Sequence, residues 1–339
     1  MTTVLTALKQ PGSTKKPSTR RDMSSSSLSS KALAAYLQLT VRPFLSVWAK
    51  MPNLPWPMGL VDYAGMLVPP VKGTRRRRVL LADCGAEWIR ADGVRDDRVV
   101  LYLHGGAFIC CGLNTHRRLV SRISNSVDAP VLSVDYRMMP RNPIAHAVED
   151  GVDGYRFLLD SGYRPDQIFI AGDSAGGYLA FMVSLALRTL DLPTPAGIFV
   201  MSPLTDMDPT GKLEHPNASK CAVFPADAVP ALTVLADRVD AEIVVEGKHG
   251  PRVSPVDADL SGLPPVLIQA GSTEMVLADA ELMAERLDAA GVDCELQVWQ
   301  DQVHVFQAAD FLPEAHRALS EIGEFVRTHG AIDAVAGTA

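Results

Sequence analysis

The chain has 339 residues, 47% of them hydrophobic and 21% charged. Those proportions exclude a disordered or fibrous chain. The formal net charge of −7 weighs against nucleic acid or an anionic membrane surface as the main partner.

Residues 1–30 are rich in Ser, Thr, Lys and Arg and offer little to bury, so they read as a disordered tail. Met23 is then as reasonable a start as Met1. Lys31 and the apolar stretch 32–41 imitate a signal peptide, but no small-residue cleavage site follows, and an amphipathic helix is expected. No run of eighteen apolar residues occurs, so no membrane span is expected. Arg75, Arg76, Arg77 and Arg78 read as a solvated strand start rather than a phosphate patch.

Short β-rich runs and helical patterns then alternate. Strands are expected at 79–82, 86–89, 99–103, 131–134, 167–171, 197–201, 265–270 and 294–299. Helices are expected at 116–127, 145–160, 176–190, 277–290 and 313–328. The alternation predicts an α/β fold with a mostly parallel central sheet and helices on both faces. Residues 31–339 then form a single domain without internal repeats. Two stretches are surplus to the rhythm, about 31–70 and 205–255, and both are expected to form a cap over the active site.

Five cysteines are an odd number without a C-x-x-C pair, and the adjacent Cys110 and Cys111 cannot easily bridge in ordinary geometry. This points to a reduced, cytoplasmic setting. The two adjacent thiols read as packing residues near the site.

Gly172-Asp173-Ser174-Ala175-Gly176 fits G-x-S-x-G, with a strand leading in and an Ala- and Leu-rich helix leading out. Such a turn strains the serine backbone, needs small neighbours, and puts Ser174 at a positive helix N-terminus as nucleophile. His104-Gly105-Gly106-Ala107 follows an expected strand. Acyl transfer builds charge on a carbonyl oxygen, and glycines let backbone N–H groups turn toward it. The donors are assigned to Gly105, Gly106 and Ala175. His104 is expected to brace this loop rather than act as a base.

Together these motifs resemble the hormone-sensitive lipase family of α/β-hydrolases, the bacterial family IV esterases. The family pairs an H-G-G-G loop with G-D-S-A-G-G; here Ser174 lies 70 residues after His104, and Gly177 completes the second motif. Asp135-Tyr136-Arg137, Ser202-Pro203-Leu204-Thr205-Asp206, Ser254-Pro255 and Leu263-Pro264-Pro265-Val266 are similar to further family segments. The likeness covers about residues 75–328. Ala107 departs from it at the third loop glycine, and Met138-Met139-Pro140-Arg141-Asn142 departs from L-A-P-E-H. The resemblance implies an α/β-hydrolase fold with a cap, and hydrolysis of short- to medium-chain acyl esters without cofactor or metal.

In this fold the order is Ser, acid, His. Only His304 lies between the last expected strand and the last helix, as the base must. The acid should follow strand 265–270, and either Glu274 or Asp279 could orient the imidazole. Glu274 is preferred because it lies in the loop, whereas Asp279 falls in the first helical turn. Trp48, Trp56 and Phe224 are expected to line the substrate pocket. The expected function is a serine carboxylesterase acting through an acyl-enzyme. An amidase or peptidase would use the same triad; a ligand receptor on this fold would lack the histidine. Monomer and homodimer both stay open.

Overall fold

In a computed structural model, residues 19–24, 26–69, 71–244 and 252–330 are described. Nine strands form one sheet in the order β1-β9-β8-β7-β6-β4-β5-β3-β2. They are β1 Thr19–Met23, β2 Thr74–Leu80, β3 Gly85–Ala91, β4 Val99–Leu103, β5 Val131–Asp135, β6 Ile168–Asp173, β7 Gly197–Met201, β8 Val266–Gly271 and β9 Cys294–Trp299. β3 runs antiparallel to both β2 and β5, and every other pairing is parallel.

The central strands are apolar because both of their faces are covered. Val99, Leu101 and Leu103 of β4 pack beneath α4 (Ile144–Asp160) and α5 (Ala175–Thr189), in a core that continues under α8 (Leu277–Ala289) along β8 and β9. Val100 and Tyr102 turn the other way, under α3 (Leu113–Val127) and α9 (Pro313–His329). Each such side chain, fully buried, stabilises the fold by roughly 1.5–3 kcal/mol. Five observed strands begin or end beyond the expected limits, because ladder bonds extend β2, β3, β5, β6 and β8 past their apolar residues.

The expected disordered tail needs correction. Residues 1–18 lie outside the described residues, but 19–23 form β1, parallel to β9. Composition misleads here because an edge strand exposed on its faces needs few apolar side chains. Backbone pairing and charge hold it instead: Arg20 meets Glu281 at 2.6 Å, and Arg21 meets Glu295 at 2.7 Å and Glu321 at 2.9 Å. Ser27 then caps α1 (Leu28–Lys50) by accepting the Ser30 N–H at 3.1 Å, and itself donates to Glu314.

The surplus stretches are largely helical. The first holds α1 and α2 (Gly59–Gly65); the second holds α6 (Thr210–Glu214) and α7 (Ala228–Val244), with 245–251 outside the described residues. α1 packs against α7, so the two stretches meet. The side chains of Arg75 to Arg78 are exposed along β2. Among the described residues, no helix is long and apolar enough to cross a membrane.

If β1 protects the open edge of β9, deleting residues 1–23 should lower the thermal midpoint relative to deleting 1–18. Exposed ion pairs contribute about 0–1 kcal/mol each. A chain of this size loses roughly 2–4 °C per kcal/mol, so a fall of a few degrees is expected by differential scanning fluorimetry. Equal midpoints would remove the role assigned to β1.

Candidate active site

β6 ends in a turn that only small residues allow. A Cβ on Gly172 would collide with the Gly176 backbone, and one on Gly176 with the Leu103 carbonyl of β4. Ser174 adopts φ 52° and ψ −119°, a strained conformation for a residue with a side chain. Its N–H donates to Met201 O at 2.9 Å and its carbonyl accepts from Leu204 N at 3.0 Å. Ser174 is the N-cap of α5, so positive dipole and free N–H groups surround its hydroxyl.

The glycine loop follows β4. Gly106 has φ 122° and Ala107 φ 53°, which turns the chain sharply. The Gly105 N–H donates to Asp173 Oδ1 at 3.0 Å, which corrects the expected oxyanion donors. A donor already held by a buried carboxylate is not free for a developing oxyanion. Among the described residues, the N–H groups of Gly106, Ala107 and Ala175 have no hydrogen-bond partner. These three N–H groups are the candidate oxyanion donors, one residue further along the loop than expected. Ala107 still supplies an N–H although it lacks the family's glycine.

Asp173 also accepts from Tyr102 Oη at 2.6 Å and lies 3.2 Å from His116 Nε2. Burial pushes its pKa up, but His116 and these bonds outweigh that and hold it below the usual carboxylate value. His116 is the complement: burial acts downward, Asp173 acts upward, and the result is raised to about 9. His116 precedes the serine in the chain, and no spacing signal in the sequence marks it. His104 braces the loop as expected. Its ring stacks on Tyr136 at 4.2 Å, Nδ1 meets Gly105 O at 2.7 Å, and burial lowers its pKa to about 4.

His304 lies in the loop after β9. Its Nδ1 is 2.6 Å from Glu274 Oε2, and Glu274 Oε1 accepts the Gly271 N–H at 2.5 Å. Glu274 is fully buried. Asp279 is occupied elsewhere, by Lys212 Nζ at 2.9 Å and the N–H groups of Thr205 and Asp206. Ser202 links the two catalytic candidates, since its hydroxyl accepts from Val305 N at 3.0 Å and its turn holds the Ser174 backbone. Among the described residues, no hydrogen bond runs from Ser174 Oγ to the His304 ring. Such bonds are commonly long without substrate and tighten in the complex.

Trp48 and Trp56 line one cavity of about 190 Å³ with Leu54, Ile109 and Leu235. Phe224 is elsewhere, edge-to-face on His304 at 4.7 Å. Among the described residues, no cluster of three or more metal-ligating side chains occurs.

A family model described as the alpha/beta hydrolase fold matches residues 100–308. The solved structure of an esterase from the bacterial hormone-sensitive lipase family superposes with a TM-score of 0.74 at 36% identity, over 87% of this chain and 99% of that one. This chain belongs to the hormone-sensitive lipase family of α/β-hydrolases. Among curated relatives, Esterase LipU of Mycobacterium tuberculosis is 44% identical over 85% of this chain and 99% of its own length. Carboxylesterase/phospholipase LipF of the same organism is 42% identical over 89% of this chain and 82% of its own.

The His116–Asp173 pair carries a pH signature. His116 binds its proton more tightly folded than unfolded. Its contribution is full below about pH 6.5 and is lost as pH rises through about 9. Wild type should therefore melt several degrees above His116→Gln at pH 6, with the gap closing toward pH 10. A gap independent of pH would mean that His116 is neutral.

Proposed function

We propose that the chain is a serine carboxylesterase acting on short- to medium-chain acyl esters. The observation that carries this is the buried Glu274 bound to His304, on a loop joined through Ser202 to the strained Ser174 turn. Ser174 Oγ attacks the ester carbonyl while His304 Nε2 takes its proton. Glu274 holds the tautomer with the proton on Nδ1 and stabilises the imidazolium. The N–H groups of Gly106, Ala107 and Ala175 receive the oxyanion. His304 then gives its proton to the leaving alcohol, and water hydrolyses the acyl-enzyme by the same steps in reverse order. No cofactor enters this cycle.

The relatives support the ester reading, since LipU is called an esterase and LipF a carboxylesterase/phospholipase. The solved esterase EstE5, soaked with p-nitrophenyl butyrate, is 33% identical with a TM-score of 0.78 over 90% of this chain and 99% of that one. α1, α2, α6 and α7 act as the cap, and the Trp48–Trp56 cavity takes part of the acyl chain. Cys84, Cys110, Cys111 and Cys221 are free thiols, in keeping with a cytoplasmic setting.

The test is a panel of p-nitrophenyl esters of rising chain length, with a p-nitroanilide as the amide control. Wild type should cleave the short esters and leave the anilide nearly untouched. Ser174→Ala should lose on the order of a million-fold in kcat. Glu274→Gln should lose up to about 10⁴, and Asp279→Asn less than about tenfold. Faster cleavage of the anilide would replace this reading with an amidase. A large loss at Asp279 without one at Glu274 would move the acid.

Trp56→Ala should enlarge the acyl cavity. Its optimum on the same panel should shift to longer chains, with Ser174 still labelled by an organophosphate. An unchanged profile would take the cavity out of the acyl site.

A further inference from the structure

The net charge conceals an uneven distribution. Residues 24–82 hold eight basic side chains and a single acid, Asp62, a net of +7 within a chain of −7. Asp62 does not act as a surface counter-charge. It is half-buried and caps α3, accepting the N–H groups of Asn114 at 3.0 Å and Thr115 at 2.9 Å. Arg75 and Arg76 have carboxylates only at 3.6 Å, and among the described residues Arg77 and Arg78 have none in ion-pair range. Their strand, β2, is the sheet's outer edge.

The same segment carries most of the exposed apolar surface. Of nineteen exposed large hydrophobic residues described, thirteen lie within residues 28–68. Leu39 on α1 is 78% exposed, Leu60 on α2 61% and Leu67 just beyond it 86%. Phe44 of α1 meets Trp56 edge-to-face at 5.8 Å, joining the helix to the proline-rich turn that leads into α2. Six residues, among them Lys72, separate Leu67 from the start of the arginine strand β2. Exposed apolar residues at this density mark an interaction surface. With basic side chains outnumbering acidic ones eight to one over residues 24–82, they match the composition of helices that lie in an anionic lipid interface.

We infer that residues 28–78 form a docking surface for an anionic phospholipid bilayer. The exposed apolar side chains enter the headgroup boundary. Lys31, Lys50, Lys72 and the β2 arginines meet the lipid phosphates. The surface adjoins the cavity lined by Trp56 and Ile109, so docking brings that cavity to the bilayer. This inference does not depend on the esterase reading.

The test is co-sedimentation of the full chain with vesicles, either phosphatidylcholine alone or mixed with phosphatidylglycerol. Binding to the mixed vesicles should be at least about tenfold stronger and should weaken with salt. Two triple variants probe the two components: Leu39→Asp with Leu60→Asp and Leu67→Asp, and Arg75→Gln with Arg77→Gln and Arg78→Gln. All six side chains are exposed, so the fold should persist. Each variant should lose about tenfold or more in vesicle binding while hydrolysing soluble p-nitrophenyl acetate within about twofold of wild type. Absence of binding to mixed vesicles, or equal binding to neutral ones, overturns the proposal. A wild-type dimer in size-exclusion chromatography that the leucine variant dissolves, with no vesicle binding, assigns the face to a second copy instead.

Discussion

Asp173 touches Tyr102 of β4, the Gly105 N–H and His116 of α3, and it directly precedes Ser174. Each contact ties a different element to the nucleophile turn. The carboxylate is buried, so leaving any partner out would expose a charge to a medium that cannot solvate it. Three elements must therefore meet at one point. By taking the Gly105 N–H, Asp173 turns the following peptides of the loop toward the space beside Ser174. The candidate oxyanion donors are thus set by this contact rather than by the number of glycines, and Ala107 offers its N–H as a glycine would.

The strain at Ser174 has to be held by its surroundings. A residue in such a conformation costs on the order of 1–3 kcal/mol. The Met201 carbonyl and the Leu204 N–H grip the serine backbone from both sides. The same turn carries Ser202, whose hydroxyl fixes the Val305 N–H next to His304. Val305 is itself at φ 49°, so the histidine loop shares the constraint. The candidate nucleophile and base thus hang from one short segment after β7, and their relative position does not rely on a direct hydrogen bond between them.

Much of this was legible in the sequence because the signals are local. β4 and β7 match their apolar runs end to end, since strands buried on both faces leave no polar residue to blur the limit. β9 also matches its expected limits, although it carries Glu295 and Gln297. The G-x-S-x-G turn and the position of His304 follow from chain order. What stayed hidden depends on distant partners. β1 reads as a tail because Thr19, Arg20, Arg21 and Asp22 have no apolar pattern, and their partners lie some 260 to 300 residues away. The Gly105 N–H looks free until Asp173, 68 residues on, is brought beside it. His116 gives no sign of its role because its partner is chosen by packing, not by spacing.

Glu274 and Asp279 lie five residues apart, are both buried, and yet cannot exchange roles. Asp279 Oδ1 is bound to Lys212, and Oδ2 accepts both the Thr205 and Asp206 N–H groups. Burial still raises its pKa to about 6, so even these partners only partly offset the cost of desolvation. Its bonds fasten α6 and the start of the second surplus stretch to α8. Glu274 accepts a single backbone N–H on one oxygen and keeps the other for His304. A carboxylate can orient an imidazole only with an oxygen that nothing else has claimed. The choice between the two acids is thus made by how many donors each one already satisfies, and the longer glutamate side chain does not prevent it from reaching His304.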